Sequence, residues 1–319
     1  MHDPELVILH EHPEWQKPLF AALERRGVRF EAFDLKRAAF DPTAPPKARL
    51  YFNQASPSAY LRGNARAVPL ALAYLRTLET HGARVLNGSR AFALELSKTA
   101  QVALLKRLGI RTPRTLGFND VAAVLAQASD FPWPALLKPE QGGSGARMFR
   151  LESPEELERL LQLRPELWSP DNLLLLQELV PSDPAHGIVR VEIVGGRMLY
   201  AMRVVSHGRF NLCPSVACNP DDGGDSVCAL PAPEAASEAP PVAFHPYPDV
   251  PDLIVAQALA IARAGGLDVA GIECLETPDG PVFYDVNANS NLRASIGASF
   301  GFDPFERVVD YLVAELARA

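Results

Sequence analysis

The sequence predicts an α/β protein that turns to α+β in its C-terminal half. In roughly the first ninety residues, short apolar runs alternate with helical stretches, as in βαβ units of a parallel sheet. Further on, two pairs of strand-like segments, 188–194 with 197–205 and 269–275 with 281–287, follow one another closely enough to be hairpins. The chain of 319 residues, 48% apolar and 22% charged, is long enough for two or three compact cores.

The elements follow in order. Residues 6–9 (LVIL) suit a buried parallel strand, and 15–26 has helical periodicity that stops at Gly27. Residues 28–33 read as the next strand, 50–54 and 84–87 as two more, with a helix over 66–81 between them. One helix is expected over 91–108, closed by Gly109 and followed by Pro113, where a helix could not continue. Then come a helix at 119–128, a strand at 135–138, a glycine-rich turn at 142–145, a strand at 146–151, a helix at 154–163 and a strand at 173–177. Gly195-Gly196 supplies the tight turn of the first hairpin. Residues 220–250, rich in Pro, Ala, Asp and Glu, read as a long exposed loop. A helix over 251–264, the second hairpin and a helix over 303–317 complete the chain.

Bulk properties narrow the function. A formal charge of −7 offers no basic footprint for nucleic acid. No apolar run is long enough for a membrane span, and the N-terminus lacks the basic region of a signal peptide, so the cytoplasm is the expected compartment. Four cysteines make no disulfide framework in a chain of this length. The spacing of Cys213, Cys218 and Cys228 departs from that of structural zinc sites and reads as buried or idle thiols. His10 and His12, at the end of the first strand, read as surface residues.

Four segments carry chemistry. In LLKPEQGGSGARMF, a strand delivers Lys138 to a loop of Gly142, Gly143 and Gly145, whose backbone N–H groups can approach an anion closely; a plain turn is the alternative. In GIECLETPDGPVFYDVNANSN, Glu273 and Asp285 occupy consecutive strands and Asn287 shares a face with Asp285. Two carboxylates and an amide oxygen form the hard donor set that magnesium prefers, against the alternative of a solvated hairpin face. Ile272, Cys274, Tyr284 and Val286 should face the other way. The apolar strand ending in Gln177-Glu178-Leu179-Val180 can supply a purine hinge or simply end there. Arg190, Glu192 and Arg203 lie on paired strands, as a surface ion pair or as a clamp for a transferring phosphoryl group.

The order of these segments resembles the ATP-grasp superfamily, and within it the RimK-like glutamate-ligase branch. FNQASPSA, VLNGSRAFALELSKTAQVALLKRLGIRTPRT, LLKPEQGGSGARMF, QELV, VRVEIVGGRMLYAMR and GIECL…FYDVNANSNL carry the resemblance, which covers essentially the whole chain. It implies an ATP-grasp fold with an N-terminal parallel α/β domain over 1–92, a lid-bearing subdomain over 93–180 and a metal-bearing subdomain over 181–319. It also implies an ATP- and Mg2+-dependent ligase with two ions, Mn2+ being a substitute. Such an enzyme would form an amide through an acyl phosphate on an amino acid or peptide, with no nucleic acid or membrane partner and with room for a homo-oligomer. The rivals are a non-amine acceptor and a nucleotide-binding regulator or scaffold without catalysis.

The resemblance also assigns roles. Lys98 and Lys138 match the phosphate-contacting lysines, Gly143 and Ser144 the loop over the phosphates, and Gln177, Glu178, Leu179 and Val180 the adenine hinge. Asp183 is placed at the ribose, Arg203 near the transferred phosphate with Arg190 retained, and Glu273, Asp285 and Asn287 at the metal. The chain departs from the family in three places. Ile188-Val189-Arg190 stands where Asp-Ile-Arg is usual, so the arginine is kept and the acid is not. Glu and Asp are exchanged at the metal, and SHGRFNLCPSVACNPDDGGDSVC replaces a basic, glycine-rich segment. On the substrate side the expected contacts are Asn53, Ser56, His207, Asn211 and Arg293.

Overall fold

The computed structural model describes residues 4–143, 145–183, 185–206 and 242–319, and three sheets organise them. The first is parallel, in the order β2-β1-β3-β4, formed by β1 (Leu6–His10), β2 (Phe30–Asp34), β3 (Leu50–Gln54) and β4 (Arg84–Leu86). The unbroken apolar run of β1 is buried along its whole length, as a central parallel strand requires. Helix α1 (Pro13–Arg25) starts ahead of the expected 15 because Pro13 suits a first helical turn, and α2 (Ala67–Thr80) covers the sheet.

The single helix expected over 91–108 is two, α3 (Ser89–Leu96) and α4 (Lys98–Arg107). Apolar periodicity runs on through both, but Ser97 between them is extended and its hydroxyl caps α4 by accepting from the Ala100 N–H at 3.1 Å. The buried carboxylate of Glu140 fixes the break, accepting from the Thr99 N–H at 2.9 Å, the Thr99 hydroxyl at 2.6 Å and the Ser97 hydroxyl.

The second sheet runs β5-β8-β6-β7, from β5 (Thr115–Phe118), β6 (Ala135–Pro139), β7 (Phe149–Leu151) and β8 (Leu174–Glu178), with helices α5 (Val121–Gln127) and α6 (Pro154–Leu163). Strand β5 is too short for its pattern to announce it, and β7 is shorter than the expected 146–151. The third sheet is antiparallel, β11-β10-β9-β12-β13: β9 (Ile188–Val194), β10 (Arg197–Val205), β11 (Ala243–Pro246), β12 (Val269–Thr277) and β13 (Gly280–Asn287). Strand β11 corrects part of the loop expected over 220–250: its four residues pair with the end of β10, too few to show a period. Residues 220–241 lie outside the described ones.

Helix α7 (Asp252–Gly265) packs on one face of the third sheet, with Ile254, Ile261, Val191, Ile272 and Phe283 in that core. After α8 (Ala294–Ser299), which its short sequence does not announce, α9 (Pro304–Leu316) returns to the first sheet. There Val309 and Leu312 share a core with Leu6 and Leu23. Among the described residues, no helix is long and apolar enough to cross a membrane.

Candidate functional site

Register in the third sheet builds the site. Arg190 on β9 lies level with Met202 on β10 and with Glu273 on β12, and Glu273 lies level with Asp285 on β13. Alternation puts this row on the face away from α7. Arg190 bridges two carboxylates, with Nε 2.7 Å from Glu192 Oε1 and Nη1 2.7 Å from Glu273 Oε1, while its Nη2 is buried without a hydrogen-bond partner among the described residues. The guanidinium crosses Gly271, where any Cβ would collide with it; this glycine is needed for close approach.

Ile272, Cys274 and Val286 lie in the α7-side core as expected, but Tyr284 does not. The β12–β13 register shifts between Glu273 and Cys274, which pair with Asp285 and Phe283, so Tyr284 is the extra residue of a bulge. Its hydroxyl donates to Glu273 Oε2 at 3.0 Å. Asn287 donates to the Gly271 carbonyl at 3.2 Å and to Asp285 Oδ2 at 3.3 Å.

Two lysines arrive from elsewhere in the chain. Lys98, at the first position of α4, pairs with Asp285 Oδ1. Burial alone would push the Asp285 carboxyl up; Lys98, together with the charges of Lys138 and Arg190, outweighs it and holds the group below the usual carboxylate range. Lys138, on β6, donates to Gln177 Oε1 at 2.8 Å and lies 5.9 Å from the centre of the Tyr284 ring. Burial and then the neighbouring Lys98 charge lower its pKa to about 8. Glu95, near the end of α3, accepts from the Asn289 N–H at 2.9 Å and leaves Oε2 without a partner among the described residues; burial pushes this carboxyl up to about 8.

These groups line one cavity of about 650 Å³ among the three sheets. Lys98, Lys138, Arg190, Glu273, Asp285 and Asn287 all reach it. Gly143 and the segment of Gln177, Glu178, Leu179, Val180 and Asp183 form one part of its wall, and Ser56 and Arg293 another. The glycine loop rests on the segment after β3. Gly143 faces Ser58, Gln141 donates to the Pro57 carbonyl at 3.0 Å, and Arg147 lies over Tyr60 at 5.1 Å.

Other expected residues are not brought to the cavity. Met202 and Val204 take the cavity face of β10, so Arg203 between them points away. It pairs with Glu276 at 2.6 Å, donates to the His186 carbonyl at 3.1 Å and stacks on Tyr247 at 4.0 Å. Asn53 is spent inside the first sheet, donating to the Asn87 carbonyl at 3.2 Å and accepting from the Ala55 N–H at 3.0 Å, while its neighbour Gln54 lines the cavity. His10 is buried rather than at the surface, edge-on to Phe20, because it closes a strand buried on both sides; His12 stacks on Trp15. Ser144, His207, Asn211, Cys213, Cys218 and Cys228 lie outside the described residues. Sequence reasoning passed over Glu95, Asn87 and the site-facing Tyr284. An ionisable residue in an otherwise amphipathic helix was the one available hint of Glu95, and nothing local announces a bulge.

Among the described residues, no group of three or more His, Cys, Asp or Glu side chains could hold a metal. Glu273, Asp285 and Asn287 are instead an open set of hard oxygens and an amide. A divalent cation there would complete its shell with water and phosphate, as magnesium does.

No family model matches the chain. It is 23% identical over 279 residues to a probable alpha-L-glutamate ligase of Haemophilus influenzae, covering 84% of this chain and 82% of the relative. It is 28% identical over 245 residues to a protein of the same description from Thioalkalivibrio sulfidiphilus, covering 75% and 70%. Two solved structures have the same fold. A RimK domain ATP-grasp protein from Sphaerobacter thermophilus superposes with a TM-score of 0.69 at 18% identity, covering 96% and 98% of the two chains. The ATP-grasp ligase PsnB, complexed with minimal precursor, Mg and ADP, gives 0.65 at 21% identity, covering 99% and 98%. The fold is the ATP-grasp fold.

Proposed function

We propose that the protein is an ATP-dependent carboxylate–amine ligase, working through an acyl phosphate on an amino acid or peptide. The observation that carries this reading is the convergence of Lys98, Lys138 and the Glu273–Asp285 pair, from three distant stretches of chain, on one cavity. In this reading residues 1–92, 93–180 and 181–319 act as the N-terminal, lid and metal-bearing units.

The adenine lies against Gln177–Val180. Glu178 spends its backbone N–H on the Arg114 carbonyl at 2.9 Å, so reading of the base edge falls to Leu179 and Val180, with Asp183 toward the ribose. Lys98, Lys138 and the loop at Gly143 and Ser144 neutralise the triphosphate. Glu273, Asp285 and Asn287 would hold magnesium, two ions being expected and manganese a substitute, and would thereby bring positive charge to the phosphates. Lys98 and Arg190 keep the two carboxylates in place for it.

The substrate carboxylate attacks the γ-phosphorus, and the bond to ADP breaks. The amine then attacks the acyl carbon, phosphate leaves with the C–O electrons, and the nitrogen loses a proton. Phosphoryl transfer needs positioning and charge neutralisation more than covalent help. Arg190, which lines the cavity, would take the charge that develops on the transferring oxygens. Arg203 has no part in this.

Release of ADP in the presence of magnesium and a panel of amino acids and carboxylates, with products read by mass, tests the proposal. Asp285→Ala should abolish the magnesium dependence of nucleotide binding. The reading fails if no substrate pair releases ADP and the variant binds nucleotide as tightly as the parent without magnesium.

A further inference from the structure

The cavity face of the third sheet changes character along its strand order. On β13, β12 and β9 it presents Asp285, Glu273 and Arg190; on β10 and β11 it presents Met202, Val204 and Phe244. Val204 and Phe244 are register partners, so the apolar half is a continuous floor. The reacting phosphate belongs at the charged half. The apolar half, whose far edge β11 lies two strand spacings or roughly 10 Å beyond β9, is left for the second substrate.

Arg293 stands over this floor. Its guanidinium carbon lies 3.2 Å from the centre of the Phe244 ring, and its backbone N–H is anchored on the Tyr200 hydroxyl at 2.9 Å. The other cations buried around the cavity differ from it. Lys98 has Asp285, Arg190 has two carboxylates and Lys138 has the Gln177 amide oxygen, whereas among the described residues Arg293 forms no ion pair and its Nε is buried without a partner. Glu192 is already held by Arg190 and Ser290. Burial, with the Arg190 charge, lowers the Arg293 pKa to about 10, which still leaves it charged at neutral pH. A half-buried cation with a buried, unpartnered Nε is costly, and an anion brought by a ligand relieves that cost.

We infer that the amine-bearing substrate is an amino acid, or a peptide end, with an apolar side chain and a free carboxylate: the carboxylate pairs with Arg293 and the side chain lies on Met202, Val204 and Phe244. This rests on the ligase reading for the identity of the reacting amine. The carboxylate at Arg293 is not the one activated, because it sits on the far side of Arg190 from the metal-side carboxylates.

The test is calorimetric binding of L-leucine, L-leucinamide and L-glutamate to the full chain, alone and loaded with magnesium and the non-hydrolysable analogue AMPPNP. Leucine should bind at least about tenfold more tightly than leucinamide, the loss expected for one charge-assisted bond, and more tightly than glutamate. Arg293→Gln should erase the preference of leucine over leucinamide, and Arg293→Lys should restore part of it. AMPPNP affinity and the thermal melt should stay at parental values in both. Met202→Gln should weaken leucine while keeping its advantage over the amide. The inference is overturned if Arg293→Gln keeps the parental ratio, if glutamate binds more tightly than leucine, or if none of the three binds. Failure of AMPPNP to bind the parent would instead overturn the nucleotide reading, and the titrations without it would still decide the amino-acid site.

Discussion

Lys138 is a cation held where its charge is disfavoured, buried and close to a second lysine, with only the neutral amide oxygen of Gln177 as hydrogen-bond partner among the described residues. A triphosphate would supply the missing negative charge, so nucleotide binding favours the protonated form. With the pKa of the empty site at about 8, the lysine is charged below that pH and loses its proton above it. Nucleotide affinity should therefore be level near neutral pH and fall as pH rises through about 8, approaching a tenfold loss per unit. Calorimetric titration of AMPPNP between about pH 7 and about pH 9 measures this, and Lys138→Met should bind weakly with a flat profile over the same range. A parental profile that rises with pH would contradict the assignment.

At the scale of elements, two local irregularities aim the chemistry. The bulge in β12–β13 turns Tyr284 onto Glu273, and the break at Ser97 starts a new helix at Lys98. The break is held by side-chain bonds that Ser97→Ala would remove: the cap on Ala100 and the bond to Glu140. The variant should lose about 1 kcal/mol of stability, the usual worth of a helix cap. AMPPNP affinity should fall with it, because Lys98 follows directly; denaturant unfolding and calorimetry measure the two effects. Full parental nucleotide affinity in a destabilised Ser97→Ala would show that the break does not position Lys98.

At the scale of the molecule, the first and third sheets are bolted together by Asn87. It is fully buried, with φ at +49°, and lies just past β4. Its amide donates to the carbonyls of Val269 at 2.8 Å and Ala288 at 2.6 Å, and its oxygen accepts from the N–H groups of Asp268 at 2.8 Å and Val269 at 3.2 Å. These bonds reach the start of β12 and the residue after Asn287, which fixes the parallel sheet against the metal-side hairpin. Asn87→Ala strands buried groups on both sides and keeps an alanine at positive φ, so it should cost about 3 kcal/mol or more. A thermal melt that barely moves would remove Asn87 from this role.

The alternation of strand and helix, the hairpin pairing of Glu273 with Asp285 and the approach of Lys138 to a glycine loop were all legible in the sequence. Each depends on period, turn residues or neighbours in the chain, which a sequence states directly. The split at Ser97, the bulge at Tyr284, the loss of Arg203 to the far face and the burial of Glu95 were not. Each was decided by a partner distant in the chain, such as Glu140 for the helix break and Asn289 for Glu95, or by a strand register. Local pattern says which residue types lie on a strand; only packing and register settle which face meets the cavity and which charge is left without a partner.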